Sequence, residues 1–299
     1  MSTGPLELLA RLGTHAGIVL MRLLAPLPLP WVRRLGVCLG YVLYALALPR
    51  RCVVQTNLAL CFPALSAAER GVLARQSFVY FAQTWLDRSW LWHGPRAVLM
   101  QRLHMCGAVH ELDGLAPTIV FCPHFYGLDA GVTAVNIHVE RDLTTIYSRQ
   151  SNALLDSWIK AGRQRFGRLR LFLRSEGVKT HVNALRAGEL LYLLPDMDFG
   201  RDNTVFVPFF GVQTATLPSI PRFARLGPAK VVPVVPRLTP EGYEVEVMPA
   251  WDNYPTDDLL ADTALVNAHL ERFIQTMPAQ YYWVHKRFKT RPEGEPAVY

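Results

Sequence analysis

The stretch Pro117-Thr-Ile-Val-Phe-Cys-Pro-His-Phe-Tyr-Gly-Leu-Asp-Ala-Gly131 decides how the chain is read, because an apolar run stops at His124 and an acid, Asp129, follows five positions later. Residues 118–122 have the length and β-branched content of a buried strand, and a helical pattern opens at 125, so His124 falls at a strand-to-helix junction. Open α/β sheets carry their chemistry at such junctions, outside the carboxyl ends of the strands. On a continuous helix an offset of five rotates a side chain by about 140°, so His124 and Asp129 converge only if His124 precedes the first turn. The spacing predicts a base on the loop and an orienting carboxylate one turn inside the helix. A histidine near an aspartate is also a common structural pair, so the assignment has to draw on the rest of the chain.

Outward from this stretch, strands are expected at 107–112, 118–122, 143–147, 169–173, 190–194, 204–208, 230–235 and 243–248, and helices at 125–137, 151–166, 176–187, 216–227 and 257–277. Strands alternating with helices predict an α/β sheet with helices on both faces. Residues 52–104 read as helical. Ser66-x-x-Glu69 is a capping box that opens a proline-free run to His93, and Val72, Phe78, Val79, Ala82, Leu86 and Trp90 recur at helical spacing. The aromatic stripe of that run (Phe78, Tyr80, Phe81, Trp85, Trp90, Trp92) predicts core packing or a membrane-facing platform.

Residues 1–50 are more apolar than the opening of a soluble domain. From 13 to 32 only Arg22 is charged, and 35–49 carry no charge. A spanning helix needs about 20 apolar residues, whereas the second run has 15 and the first ends in Pro26, Pro28 and Pro30. A secretory signal fits poorly, since Ala45-Leu-Ala47 lies too far from the amino terminus. One tilted span or two interfacial helices remain, with Arg33, Arg34, Arg50 and Arg51 placed against anionic lipid on the cytoplasmic side. The expected division is an anchor over 1–50 and a catalytic domain over 51–299.

Composition bounds the partners. The 299 residues are 51% apolar, enough for a sizeable core. Of 31 basic residues only five are lysine, and they outweigh 24 acids to give a net charge of +7. Arginine grips phosphate bidentately, so the balance suits anionic headgroups, phosphorylated substrates or acidic proteins, as does codon bias in a GC-rich genome. Cys38, Cys52, Cys61, Cys106 and Cys122 are scattered without C-x-x-C spacing, which argues against a disulfide framework or a zinc site and favours a reducing compartment.

Tests for a protein nucleophile fail. No G-x-S-x-G elbow, P-loop or G-x-G-x-x-G occurs, and a buried Cys122 lacks the cationic setting that activates a thiol. A His–Asp pair without a nucleophile suits a general base acting on a substrate hydroxyl. Polar groups also gather where strands should end: Gly162-Arg163-Gln164-Arg165, the acids of Pro195-Asp-Met-Asp-Phe-Gly200 after the apolar strand at 190–194, and Val205-Phe-Val-Pro-Phe-Phe-Gly211 before the next helix. Taken singly, the acids read as a turn and the arginines as a solvated helix end.

Together, His124-x4-Asp129, Asn57-Leu-Ala-Leu-Cys-Phe-Pro63 with Glu69-Arg70, Pro195 to Gly200, Val205 to Gly211 and Trp283-Val-His-Lys-Arg-Phe-Lys-Thr-Arg-Pro-Glu-Gly294 closely resemble the late acyltransferases of lipid A biosynthesis. These Gram-negative lauroyl and myristoyl transferases are a branch of the lysophospholipid acyltransferase superfamily, and the resemblance covers nearly the whole chain. It implies a central mixed sheet flanked by helices, of the glycerolipid acyltransferase type, behind an N-terminal helical membrane-anchoring region. It implies an inner-membrane enzyme, its catalytic domain on the cytoplasmic face against membrane phospholipid, that moves a fatty acyl group from acyl carrier protein to a hydroxyacyl chain of a Kdo-bearing lipid A precursor. Many members carry Glu where this chain has Asp129, and the family's Tyr-Arg-Pro is here Tyr147-Ser148-Arg149, which makes Arg149 the counterpart of that arginine.

The mechanism expected on this basis has His124 take the proton of the acceptor hydroxyl while Asp129 holds its tautomer. Arg163 and Arg165 bind acceptor phosphate or the oxyanion, with Asp196 orienting one of them and Asp198 beside it. Phe125, Tyr126, Phe199, Phe209 and Phe210 are the expected wall of an acyl pocket. The tail residues His285, Lys286, Arg287, Lys289 and Arg291 are expected at acceptor phosphates or the bilayer, or simply as a solvated charge run. This chemistry needs no metal or organic cofactor, and no nucleic acid partner is expected. The competing readings are an acyltransferase for a glycerophospholipid or aminolipid, and a non-catalytic membrane lipid-binding scaffold with a structural His124.

Overall fold

The computed structural model describes residues 5–299, with side chains from residue 11 onward, so the first four residues of the expected anchor lie outside the described residues. Five helices come first: α1 (Pro5–Leu24), α2 (Leu29–Leu46), α3 (Leu48–Cys61), α4 (Ala67–His93) and α5 (Arg96–Arg102). The alternating part follows as β1 (Leu103–Gly107), β2 (Thr118–Phe121), α6 (Leu128–His138), β3 (Leu143–Tyr147), α7 (Ala153–Arg163), β4 (Leu169–Leu173), α8 (Val178–Arg186) and β5 (Leu190–Leu193). It ends with β6 (Val205–Phe209), β7 (Val212–Thr216), α9 (Ser219–Leu226), β8 (Lys230–Thr239), β9 (Gly242–Val247) and α10 (Leu259–Thr276).

Seven strands form one mixed sheet in the order β1-β9-β8-β2-β5-β3-β4, parallel throughout except for the β8–β9 hairpin. Successive strand side chains face opposite sides, and β2 shows the consequence. Ile119 and Phe121 enter an apolar cluster with α3, α8, α9 and α10, while Val120 and Cys122 enter another with α6, α7 and the carboxyl half of α4. With both faces covered, β2 and β5 read as continuous apolar runs.

Two strands differ from expectation. The strand expected at 107–112 is β1, ending at Gly107, whose φ of +77° places an added Cβ 2.3 Å from the Val247 carbonyl oxygen. Residues Val109–Leu112 instead form a 3-10 turn. Strand β7 was not expected at all, because it is announced by a two-residue turn, Phe210-Gly211, with φ of +50° and +76°. Such a turn needs positive φ at both positions, and Asn-Gly is its usual signature; a phenylalanine at the first position disguises it.

Ser66 and Glu69 form the expected capping box, each accepting from the other's backbone N–H at 3.2 and 2.7 Å. Helix α2 packs along α4 through Gly36 and Gly40, where an added Cβ at 40 would lie 2.5 Å from the Val79 Cα. Small residues four apart let two helix backbones approach in this way. At the same seam Arg33 pairs with buried Asp87 at 3.2 Å, and Asp87 also accepts from Trp90 Nε1 and the Tyr243 hydroxyl. Arg33, expected at lipid, is thus a bolt between α2, α4 and β9. Residue 50 itself lies within α3.

Candidate active site

Register positions the centre of the site. Strands β2 and β5 are parallel neighbours with Phe121 beside Leu193, and His124 and Asp196 each stand three residues beyond that pair. Both strands leave the sheet through a proline, in Cys122-Pro-His124 and Leu194-Pro-Asp196. Neighbouring strands lie about 4.8 Å apart, so equal offsets bring the two side chains together. The His124 ring meets Asp196 Oδ1 through Nδ1 at 2.7 Å, and its backbone N–H donates to Oδ2 at 3.0 Å. The carboxylate on His124 is therefore Asp196, not Asp129 as the five-residue spacing suggested. Burial raises the Asp196 carboxyl, but His124 and Arg287 outweigh it and hold the group below the usual carboxylate range.

The carboxyl-terminal segment fixes the histidine loop. Tyr282 N–H donates to the His124 carbonyl at 3.0 Å and Tyr126 N–H to the Gln280 carbonyl at 2.9 Å. Asn57 in turn holds the carbonyls of Trp283 and His285, at 2.7 and 2.8 Å.

Asp129 sits in the first turn of α6 and is 4% exposed. Arg88 of α4 donates to its Oδ2 through Nε at 2.7 Å, and Arg163 of α7 donates to Oδ1 through Nε at 2.8 Å. Burial pushes this carboxyl up, and the two guanidiniums more than reverse the push, so Asp129 stays charged. Arg88 also stacks over the Trp85 indole, 3.9 Å from its centroid, and its Nη1 is buried with no partner. Two cations against one carboxylate leave one net positive charge and an unused donor, which is a place for an anion.

His124, Arg88 and Arg163 line one cavity of about 450 Å³, within the range of small-molecule sites. Phe81, Thr84, Trp85 and Arg88, at positions i, i+3, i+4 and i+7, present one face of α4 to it, and Val132 of α6, Leu155 and Ile159 of α7 and Leu169 of β4 add apolar lining. The aromatic helix is in part a wall of the site rather than core alone. Arg88, which the sequence reading overlooked, carried one signal: Asp87 and Arg88 are the only charged residues between 76 and 92.

Other expected site residues lie elsewhere. Arg165 donates to the carbonyls of Leu91 (3.1 Å) and Gly94, closing the carboxyl end of α4. Asp198 accepts from Thr290 N–H at 2.7 Å, Thr290 Oγ1 at 2.8 Å and Gly200 N–H at 2.9 Å, stapling the loop after β5 to the tail. Arg149 is exposed, outside the cavity lined by its neighbours Ser148 and Gln150. Of the five aromatics, Tyr126 and Phe199 line the cavity. Phe125 and Phe209 are fully buried core, and half-buried Phe210 packs against that core through tilted and edge-on contacts with Phe62 and Phe209. The basic tail turns inward as well. Arg287 is 1% exposed and donates to Ala215 and Thr216, Arg291 reaches the Gln213 carbonyl, and His285 accepts from Asp198 N–H. Only Lys286 and Lys289 of that run are exposed. Burial pushes the Cys122 thiol up to about 12, so it is protonated at neutral pH, in keeping with its rejection as a nucleophile.

Residues 5–290 match the family of bacterial lipid A biosynthesis acyltransferases. The chain is 33% identical over 295 residues to the lipid A biosynthesis lauroyltransferase of Escherichia coli (strain K12), covering 96% of this chain and 94% of that protein. It is 32% identical over 289 residues to a lipid A biosynthesis acyltransferase of Haemophilus influenzae, covering 95% and 89%. A third relative is the lipid A biosynthesis palmitoleoyltransferase of Escherichia coli, 30% identical over 297 residues, with 96% and 94% covered. Among solved structures, the 1-acyl-sn-glycerophosphate acyltransferase of Thermotoga maritima matches with a TM-score of 0.40 and 12% identity, over 82% of this chain and 97% of that one.

Proposed function

Since the chain belongs to the bacterial lipid A biosynthesis acyltransferase family, and is thus an O-acyltransferase, we propose that it moves a fatty acyl group from the thioester of acyl carrier protein to the hydroxyl of a hydroxyacyl chain on a Kdo-bearing lipid A precursor. The observation that carries the mechanism is the engagement of His124 Nδ1 by a charged, buried Asp196. The ring then bears its proton on Nδ1 and keeps Nε2 as an acceptor. Nε2 takes the proton of the acceptor hydroxyl as its oxygen bonds to the thioester carbonyl carbon. The carbonyl π electrons move to oxygen, and the tetrahedral intermediate collapses with rupture of C–S. The imidazolium returns its proton to the departing thiolate, and Asp196 stabilises the charged ring in between.

Arg88 and Arg163, held by Asp129, supply the positive charge in this cavity. They serve the oxyanion or an acceptor phosphate, and Asp129 positions them rather than the histidine. The apolar lining at Val132, Leu155, Ile159 and Leu169 takes the donor chain.

The bilayer reading draws on α1, α2 and the turn between them, which expose Leu12, Val19, Leu20, Leu23, Leu27, Trp31, Leu35, Val42 and Leu46. So large an apolar surface marks a contact site. Among the described residues no single helix is long and apolar enough to cross a membrane; α2 and α3 qualify only as a pair bent by 93°. Because α3 buries Val53, Val54 and Leu58 in the core, we assign α1 and α2 to the interface of the inner membrane, with the cavity on its cytoplasmic side.

The test is transfer of labelled acyl chain from acyl carrier protein to the Kdo-bearing precursor, run beside a lysophospholipid acceptor. Label enters the lipid A precursor, and His124→Ala lowers the rate by roughly 10² to 10⁴-fold. Label entering only the lysophospholipid would overturn the acceptor assignment.

A further inference from the structure

A second cavity, of about 410 Å³, lies beside the first. It is bounded by Leu43 and Ala47 at the bend between α2 and α3, by Phe78 of α4, and by Val284 and His285 of the tail. Phe81, Met197 and Tyr282 line both cavities, so the two adjoin at these side chains. Tyr282 is also the residue whose ring stands 6.3 Å from that of His124.

The reaction proposed above brings two hydrocarbon chains to one histidine. The donor chain extends from the thioester carbonyl, the acceptor chain continues past the carbon that bears the attacking hydroxyl, and the two must diverge at His124. We propose that the second cavity is the seat of the acceptor's hydroxyacyl chain, an assignment that rests on that reading of the function. Two observations choose this occupant. Ala47 in its lining stands between exposed Leu46 (75%) and Leu48 (50%), the side from which a chain leaves a lipid layer, whereas the exposed residues that line the first cavity are Ser148, Gln150, Arg174 and Phe199, mostly polar, where a water-borne carrier would deliver its thioester. Its lining is apolar except for Arg50, His285 and the Tyr282 hydroxyl; Arg50 is exposed, and its Nη1 donates to the Val284 carbonyl at 3.2 Å, leaving other donors for an anionic headgroup at the rim.

Leu43→Trp and Ala47→Phe fill this space at positions outside the first cavity, whose lining holds His124, Arg88 and Arg163. Each methylene kept out of an apolar site weakens binding several-fold, so displacing two raises the acceptor KM by about tenfold. The donor KM and the length of the transferred chain stay as in the wild type. Unchanged acceptor KM in both folded variants, or a shift in donor chain length, would overturn the assignment.

A second measurement uses the unaltered enzyme and an acceptor whose hydroxyacyl chain ends in a photoreactive diazirine. Cross-links are expected at Leu43, Ala47 and Val284, and cross-links confined to Leu155 and Ile159 refute the proposal. Acyl transfer to this probe separates the two levels of failure. A wild-type enzyme that does not acylate the lipid A precursor removes the proposed function and this seat with it, while normal acylation with misplaced cross-links removes only the seat.

Discussion

Replacing Asp196 by Asn separates the two candidate orienting acids, and the structure sets the size of the effect. The carboxylate accepts twice from His124, from the ring at 2.7 Å through Oδ1 and from the backbone N–H at 3.0 Å through Oδ2. An amide has one acceptor oxygen. If it faces the backbone, the NH2 group confronts Nδ1, forces the proton to Nε2 and leaves no base toward the cavity. If it faces the ring, NH2 opposes a buried backbone N–H, at about 1–3 kcal/mol for the unsatisfied donors. In either orientation the imidazolium loses its buried counter-charge, an interaction of about 3–5 kcal/mol. At 1.36 kcal/mol per tenfold, the rate should fall by roughly 10² to 10⁴-fold. The assay is single-turnover transfer from acyl carrier protein thioester, with circular dichroism to verify folding. Asp129→Asn, by contrast, leaves the ring untouched and loosens Arg88 and Arg163, so it raises KM and lowers stability before it removes the base. A folded Asp196→Asn enzyme with wild-type rate, beside a dead Asp129→Asn enzyme, would refute this division of roles.

Arg165→Ala should lower stability by about 1–3 kcal/mol by freeing the end of α4, with KM for both substrates unchanged; a selective rise in acceptor KM restores the substrate-binding role expected from sequence. Trp85→Ala should lengthen the preferred donor chain, because the indole bounds the cavity, whereas Phe209→Ala should cost about 3–5 kcal/mol in thermal unfolding and leave chain length alone. Burial first, then Arg287, holds His285 at about 4 in the folded protein, against about 6.5 when unfolded. The unfolded chain therefore binds more protons between these values, so this contribution is whole above pH 6.5 and is lost as pH falls to 4. His285→Gln keeps an acceptor for Asp198 N–H and should flatten that part of the melting-temperature profile, and His269, also lowered to about 4 by burial and Arg272, preserves the remainder. An unchanged profile in the variant contradicts the assignment.

The fold was legible where one element carries its own pattern. The short β-branched run at 118–122, the capping box at Ser66 and the apolar run at 190–194 each name their element without reference to another. What the sequence concealed depends on which elements become neighbours. Asp196 meets His124 only because β5 returns between β2 and β3, an insertion that no local spacing records; the matching Cys-Pro-His and Leu-Pro-Asp exits become informative once that order is known. Arg88 was hidden for the same reason, since α4 reaches Asp129 across 41 residues of chain. That reach depends on the amino-terminal helices. Gly36 and Gly40 seat α2 against α4, Arg33 fastens Asp87 one residue before Arg88, and Arg88 then completes the cradle around Asp129. The helices with the most exposed apolar surface are thus mechanically continuous with the charged wall of the cavity. A surface contact that shifts α2 would be felt first at Arg88 and Asp129, while His124 and Asp196, held by paired strands and the carboxyl-terminal segment, would keep their geometry.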